Sequence, residues 1–369
     1  MFCLSDEVVS EEAMQKVKSV CASVTVVHLP LIPRLIRLAL NIFGKLPMQV
    51  AYFSDKQALK QFRQLDSKLK PGCVMVQLAR MAEFGKVSRS AVKLIDYQDA
   101  FSKGLERRKA HDPIWMRGLL EMEYRRLRAY ETQILSDFTL ATIISEQDAA
   151  LIEHSDKSRL HILPNGVNTD YYKPEPRAKT IDLLFTGNMN YEPNVNCVQY
   201  VVKEVLPLLR DEYPHIQFVA AGKDPASELR RIQSRNLQLT GWVDDLRKYY
   251  QQARLFVAPM QIGIGMQNKI LEAMSMGLPV ITSSLANNAI GAEHGKEVWI
   301  ANTPEKTAEA ISYLMNNTDL AIRIGQNARK LMQERYSWEK QNQILNRLIS
   351  GRKEQTHSEK LHQEQKKDS

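Results

Sequence analysis

The stretch LFVAPMQIGIGMQNKILEAMSMGLPVITSS, residues 255–284, decides the fold. LFVAPM (255–260) is an apolar run long enough for a strand buried on both faces, and PVITSS (279–284) is a second. Between them a turn bearing Gly263 and Gly265 opens the helix-period segment NKILEAMSM (268–276). Strand, helix and strand in so short a space make a βαβ unit, whose strands run parallel.

Working outward, the same alternation fills the second half of the chain. IDLLFT (181–186), IQFVAAG (216–222), LQLTG (237–241) and EVWIAN (297–302) read as strands, VNCVQYVVKEVLPLLR (195–210) as helix, and Pro304 after Thr303 as a helix start. Near-continuous apolar strands separated by helices predict an α/β domain, doubly wound about a parallel sheet. The first half repeats the pattern, with strands expected at 23–29, 72–78, 91–96, 139–145 and 159–164. A long helix is expected over about 117–136, with Leu120, Tyr124, Leu127, Tyr130 or Glu131, Ile134 and Phe138 near one face. The polar, proline-rich Lys173-Pro174-Glu175-Pro176 suits a linker. The expected organisation is therefore a domain over 1–175, a second over 176–335, a crossing helix at 336–350 and a disordered charged tail at 351–369.

Composition agrees with two soluble domains. The chain has 369 residues, 44% of them hydrophobic and 25% charged, which excludes disordered and fibrous classes. Cys3, Cys21, Cys73 and Cys197 are scattered, so neither a zinc site nor a disulfide framework is expected and a reducing cytoplasm fits. The N-terminal segment lacks the form of a secretory signal. Arg34 and Arg37 interrupt the most apolar segment, so no membrane span is expected. The net charge of +8 concentrates in the first half: residues 31–63 hold six Lys or Arg against one acid, and 103–130 hold eight against four. Residues 31–47, LIPRLIRLALNIFGKLP, combine such charges with Leu35, Leu38, Ile42 and Phe43. That pattern fits a helix lying on an anionic membrane surface, and equally a core-facing helix with charged edges.

Ligands of doubly wound domains bind beyond the carboxyl ends of the strands. Here those ends carry Gly187-Asn188-Met189-Asn190, Gly222-Lys223-Asp224 and Gly265-Met266-Gln267-Asn268-Lys269. A glycine turn at a helix start offers free N–H groups and a positive dipole end to an anion, and Lys269 adds a full charge. Glu272 follows three residues later, near the same face, where a carboxylate can accept from two vicinal hydroxyls. An ordinary turn with Glu272 solvated fits this segment equally well. Asp99, after the strand ending at Asp96, could orient or deprotonate an acceptor hydroxyl; Asp96 or Asp99 as a helix cap is the simpler reading.

Longer stretches carry a resemblance. Asn268-Lys269-Ile270-Leu271-Glu272-Ala273-Met274-Ser275-Met276-Gly277-Leu278-Pro279-Val280 resembles the donor-binding signature of glycosyltransferase family 4, a retaining group of GT-B fold. Leu163–Tyr172, Phe185–Asn194, Thr240–Arg247 and Tyr336–Glu339 are similar to the corresponding stretches of its bacterial exopolysaccharide branch, and together the likeness covers about 91–340. It implies two Rossmann-like domains facing a cleft, an acceptor-side domain first and a donor-side domain second. It also implies transfer of a sugar from a nucleoside-diphosphate sugar to a hydroxyl acceptor with retention, without metal or other cofactor. Lys269 would hold the diphosphate, Glu272 the ribose, and Gly241-Trp242-Val243 would wall the base, with Gly187, Asn188, Asn190, Gly222, Gly265, Met266, Gln267 and Asn268 completing the donor site.

Two departures accompany the likeness. Many members carry a glutamate where this chain has Ile264, and relatives begin with a strand, loop and helix before a segment like Phe2–Asp6. The acceptor expected is a glycan or lipid-linked glycan at the inner face of the plasma membrane. A non-catalytic GT-B remnant partnering a polysaccharide assembly complex is the rival reading. An epimerase lacks an acid/base pair, and nucleic acid lacks a binding motif.

Overall fold

The computed structural model describes the chain except residues 112–115, 233, 263–264 and 366–369; for 107–111 and 353–365 it describes the backbone alone. The chain divides into two units, Met1–Leu163 with Leu345–Ser369, and Pro164–Ile344.

The second unit is built on six parallel strands: β7 (Ile181–Thr186), β8 (Phe218–Ala221), β9 (Leu237–Leu239), β10 (Ala253–Ala258), β11 (Val280–Thr282) and β12 (Trp299–Ile300). Their order across the sheet is β12-β11-β10-β7-β8-β9. The chain thus winds outward from β7 in one direction and from β10 in the other, which leaves a topological switch point between those two neighbours. The central strands are apolar on both faces because helices cover both. Leu183, Leu184, Phe185, Phe218, Phe256 and Val257 are all at most 1% exposed, and the rings of Phe185 and Phe256 stack 6.3 Å apart. Thr303 caps the helix Pro304–Asn316 by accepting from Lys306 N, as the Thr-Pro pair predicts.

The first unit holds β1 (Phe2–Ser5) paired with β2 (Thr25–His28), and a parallel sheet of β3 (Cys73–Gln77), β4 (Val92–Asp96), β5 (Leu140–Ile143) and β6 (Leu160–Ile162) in that order. Its long helix spans Arg117–Asp137 and buries Leu120, Glu123, Leu127, Tyr130, Glu131, Ile134 and Leu135. Two of these are carboxylates: Glu131 lies on the face expected for it, and Glu123 takes the buried place expected of Tyr124. Each has a donor: Glu123 accepts from Met48 N at 2.6 Å and Glu131 from Ser102 N at 3.3 Å.

The division falls between Leu163 and Pro164, not at 175. Residues 167–172 spend their hydrogen bonds on the second unit: Val167 N donates to Tyr336 O, Trp338 N to Val167 O, and Ser275 Oγ to Tyr172 O. The expected disordered tail is corrected too, since one helix runs from Trp338 to Gln365. A stretch of Glu, Gln and Lys has good helix propensity and extends a helix already nucleated upstream. That helix counts with the second unit up to Ile344 and with the first from Leu345. Among the described residues no helix is long and apolar enough to cross a membrane.

The helix Leu31–Asn41 turns its charges inward. Arg34 is 6% exposed and bonds Asp6 at 2.9 Å and the Tyr52 hydroxyl, while Arg37 meets Asp55 at 2.6 Å. Its outer face is apolar instead: Leu31, Ile32, Leu35, Ile36 and Leu40 are exposed, and Ile42 and Phe43 just beyond it extend the patch.

Candidate active site

The switch point is furnished by four loops of the second unit. After Thr186 the chain turns at Gly187, whose φ of +152° lies in the region only glycine enters freely. The β8 loop passes so close that a Cβ on Gly222 would stand 1.7 Å from Gly187 O. Gly187 N donates to Ala221 O and Gly222 N to Thr240 Oγ1, which ties the ends of β7, β8 and β9 together. The fourth loop leads into the helix Asn268–Ser275, whose first turn has no side-chain cap; Ile270 N donates to Gln267 O, and the N–H groups of Asn268 and Lys269 remain available to an anion.

These loops enclose a cavity of about 360 Å³ lined by Gly187, Asn188, Gly222, Trp242, Lys269 and Glu272, among others. Thr186, Asn194, Lys223, Val243, Leu246 and Asn268 complete it. Of the remaining residues singled out in the sequence, Gly241 bridges Gly222 behind the wall, Met266 is buried, and Gln267 accepts from Lys269 Nζ at 2.7 Å. Gly265 adopts φ +84° in the turn. Asn190 lines a neighbouring depression with Asp224 and Arg230, not this cavity. Gly263 and Ile264 lie outside the described residues. Asp99 sits exposed in the first unit, at the carboxyl end of β4 beside buried Asp96, which accepts from Thr142 Oγ1 at 2.9 Å.

Electrostatically the cavity is a buried cation beside a hydrogen-bonded carboxylate. Burial lowers the Lys269 ammonium to about 8. Its neighbourhood includes the fully buried Cys197 thiol and the Phe185 ring, 5.5 Å from Nζ. Burial raises the Glu272 carboxyl, opposed by hydroxyl donors from Tyr250 and Tyr172 and by Lys269. The Tyr250 hydroxyl donates to Glu272 Oε2 at 2.9 Å and, at 2.6 Å, meets Thr186 Oγ1, which supplies the proton of that contact. Asn165 Nδ2 reaches Asn268 Oδ1 at 3.2 Å, which brings the Pro164-Asn165-Gly166 turn to the helix start. Trp242 is 72% exposed at the mouth, an aromatic face free to stack on a flat ligand.

Tyr172, Tyr250, Thr186 and Asn194 belong to this site; Tyr172, Thr186 and Asn194 lie in stretches that carry the family likeness but are not singled out there, and Tyr250 lies outside all of them. Tyr250 lies in KYYQQ (248–252), which reads as a helix with core aromatics, and Asn194 in the first turn of a helix. Their spacing from Glu272 is set by the sheet alone.

Comparison with known proteins identifies the domain. Residues 180–317 match the family of glycosyl transferases group 1. A 44.6 kDa protein of the cps region of Klebsiella pneumoniae is 27% identical over 168 residues, 43% of each chain. A GDP-mannose-dependent α-(1-6)-phosphatidylinositol monomannoside mannosyltransferase of Mycobacterium tuberculosis is 26% identical over 204 residues, 49% of this chain and 53% of that one. The chain thus spans about half the length of the curated relatives it matches. Among solved structures, Anabaena HepE in complex with UDP superposes with a TM-score of 0.69 at 14% identity, covering 95% of this chain and 92% of that one. Sucrose-phosphate synthase from Thermosynechococcus elongatus gives 0.60 at 17% identity over 80% and 79%. Residues 180–317 are a glycosyl transferases group 1 domain, family-4-like, in a chain of GT-B fold.

Proposed function

We propose that this protein transfers a sugar from a nucleoside-diphosphate sugar to a hydroxyl acceptor, with retention, in the synthesis of a cell-surface polysaccharide or lipid-linked glycan. The observation that carries the reading is the pairing of Lys269 and Glu272 in one cavity at the switch point. A diphosphate seated at the uncapped helix start would meet the Lys269 ammonium, and the developing charge on the leaving group would be stabilised there. Glu272, held by Tyr250 and Tyr172, would accept from the ribose hydroxyls, while Trp242 would cover the base. Retention without a protein nucleophile requires the acceptor to attack from the face the diphosphate leaves. The complexes of HepE with UDP and UDP-glucose support a nucleotide-sugar donor, and uridine diphosphate is therefore the first probe.

The apolar face of residues 31–43 is read as a seat in the lipid interface, with exposed Lys45 beside it to meet anionic headgroups. The mycobacterial relative's lipid substrate supports a lipid-linked acceptor delivered from that surface. Work at the inner face of the plasma membrane suits four free cysteines.

The test of the donor site is calorimetry with UDP and with inorganic pyrophosphate. Glu272→Ala should weaken UDP about tenfold or more and leave pyrophosphate nearly unchanged. Equal affinity of variant and parent for UDP would overturn the ribose assignment.

A further inference from the structure

A second cavity, of about 400 Å³, opens in the first unit at the amino ends of β5 and β6, the sheet edge away from the Asp96–Ser102 loop. Thr139, Arg159 and His161 line it from the sheet, and Arg347, Gly351 and Arg352 from the last helix. Two features mark it as more than a packing gap. The first is charge: three arginines converge from two separate elements, and Asp156 is the one carboxylate among the described lining residues. Asp156 accepts from Ser158 N at 2.9 Å and offsets part of the charge of nearby Arg159, whose Nη1 contacts Phe138 O at 3.4 Å. Guanidinium groups so placed present planar forks of donors, the arrangement that phosphate oxygens fit.

The second feature is Gly351, in the interior of a helix that continues to Gln365. Only proline suits a helix interior less well than glycine, and a Cβ built at Gly351 would meet nothing within 4 Å. Crowding within the chain does not require a glycine there. Gly351 lines the cavity without a side chain, so a ligand there can approach the helix backbone closely.

We infer that this cavity is an anion site for a phosphate-bearing ligand, its phosphate held between Arg159 and Arg347 over Gly351. The site is independent of the nucleotide cavity, which belongs to the other unit. Its place on the acceptor-side domain suits the phosphate of a soluble ester or of a lipid headgroup, one chemistry with two sources.

The experiment is calorimetric titration of inorganic pyrophosphate into the full chain carrying Lys269→Gln, which removes the buried cation of the proposed donor cavity and so weakens pyrophosphate binding there. The chain should still bind, and adding Arg159→Gln or Arg347→Gln should weaken binding about tenfold. Gly351→Ala should weaken it as well while raising the melting temperature, an opposition that a purely structural role would not produce. Vesicles of phosphatidylglycerol identify the source: displacement of pyrophosphate by them points to a headgroup, and displacement only by soluble phosphate esters to a small molecule. No pyrophosphate binding by the Lys269→Gln chain, or unchanged affinity in arginine variants that melt like their parent, would overturn the inference. Neither result touches UDP binding by the unmodified chain, so this proposal and the donor reading fail separately.

Discussion

The hydroxyl of Tyr250 donates to Glu272 Oε2 across 2.9 Å, although the two residues sit on different helices, before β10 and after it. Tyr250 is fully buried, and its hydroxyl is also met by Thr186 Oγ1. A strand-end threonine, a helix tyrosine and a pocket carboxylate therefore form one chain of hydrogen bonds. Its effect is to fix the rotamer of Glu272 and to favour its ionised form against burial.

Tyr250→Phe keeps the ring and removes the donor. Glu272 then keeps Tyr172 but loses its other hydroxyl, and its carboxyl rises further above the ordinary range. UDP affinity at neutral pH should fall about 5- to 10-fold, a cost of about 1–1.4 kcal/mol. The acid limb of the affinity–pH profile should also move to higher pH than in the parent. A profile that drops uniformly without moving would mean that Tyr250 supports the cavity sterically and leaves Glu272 alone.

Lys269 provides a second pH signature. With its ammonium lowered to about 8 by burial, the side chain is roughly half neutral at pH 8. A diphosphate favours the charged form, so binding at that pH should take up about half a proton per UDP; at about pH 6.5, where Lys269 is already charged and part of the terminal phosphate is still protonated, uptake gives way to a small release. The terminal phosphate of UDP is itself fully ionised at pH 8, since such groups lose their second proton near pH 6. Titration in buffers of different ionisation enthalpy reads the uptake directly. Lys269→Gln should abolish it, and uptake surviving that change would place the titrating group elsewhere.

Much of this architecture is legible in the chain, for identifiable reasons. The strands of the second unit are buried on both faces, so IDLLFT and LFVAPM announce themselves without partners. Lys269 and Glu272 share one helix, so their juxtaposition follows from local geometry. What local pattern does not carry is anything fixed by a distant partner. Phe2–Ser5 is a four-residue strand of intermediate burial, recognisable only by its pairing with Thr25–His28. Tyr250 looks like a core aromatic until the sheet brings it to Glu272. Arg34 and Arg37 read as headgroup contacts of a membrane-surface helix or as the charged edges of a core-facing one, yet Asp6 and Asp55 draw them inward.

That inversion changes how the membrane reading is tested. Replacing Arg34 or Arg37 would break buried contacts and disturb folding. Ile32, Leu35, Ile36 and Phe43 are the residues to change, since all four are more than half exposed, the first three on the helix and Phe43 just beyond its end. Burying each in an interface is worth about 1.5–3 kcal/mol, so the quadruple Ser variant should lose most of its sedimentation with anionic vesicles. Its melting temperature should hold or rise, because these side chains contribute little to the core. Undiminished sedimentation would rule the patch out as the lipid contact.

Glu131 links stability to pH in the first unit, with a sign opposite to that of an ion-paired acid. The residue is 1% exposed, and burial raises its carboxyl from 4.5 to about 7 despite hydrogen bonds from Ser102 and the Phe101 backbone. Between those two values the folded chain holds a proton that the unfolded chain releases, so stability falls as pH rises from about 4.5 to 7 and stays low above. The gap corresponds to roughly 3 kcal/mol at most, from which the weaker hydrogen bonds of a neutral acceptor take back about 1 kcal/mol. Glu131→Gln keeps the carbonyl that accepts from Ser102 N and removes the buried charge. At pH 8 the variant should melt a few degrees above its parent, on the order of 2–4 °C per kcal/mol for a domain of this size. At pH 5, where Glu131 is already protonated in the fold, the advantage should vanish. A variant less stable than its parent at pH 8 would show that the hydrogen bonds to Phe101 and Ser102 outweigh the burial of the charge.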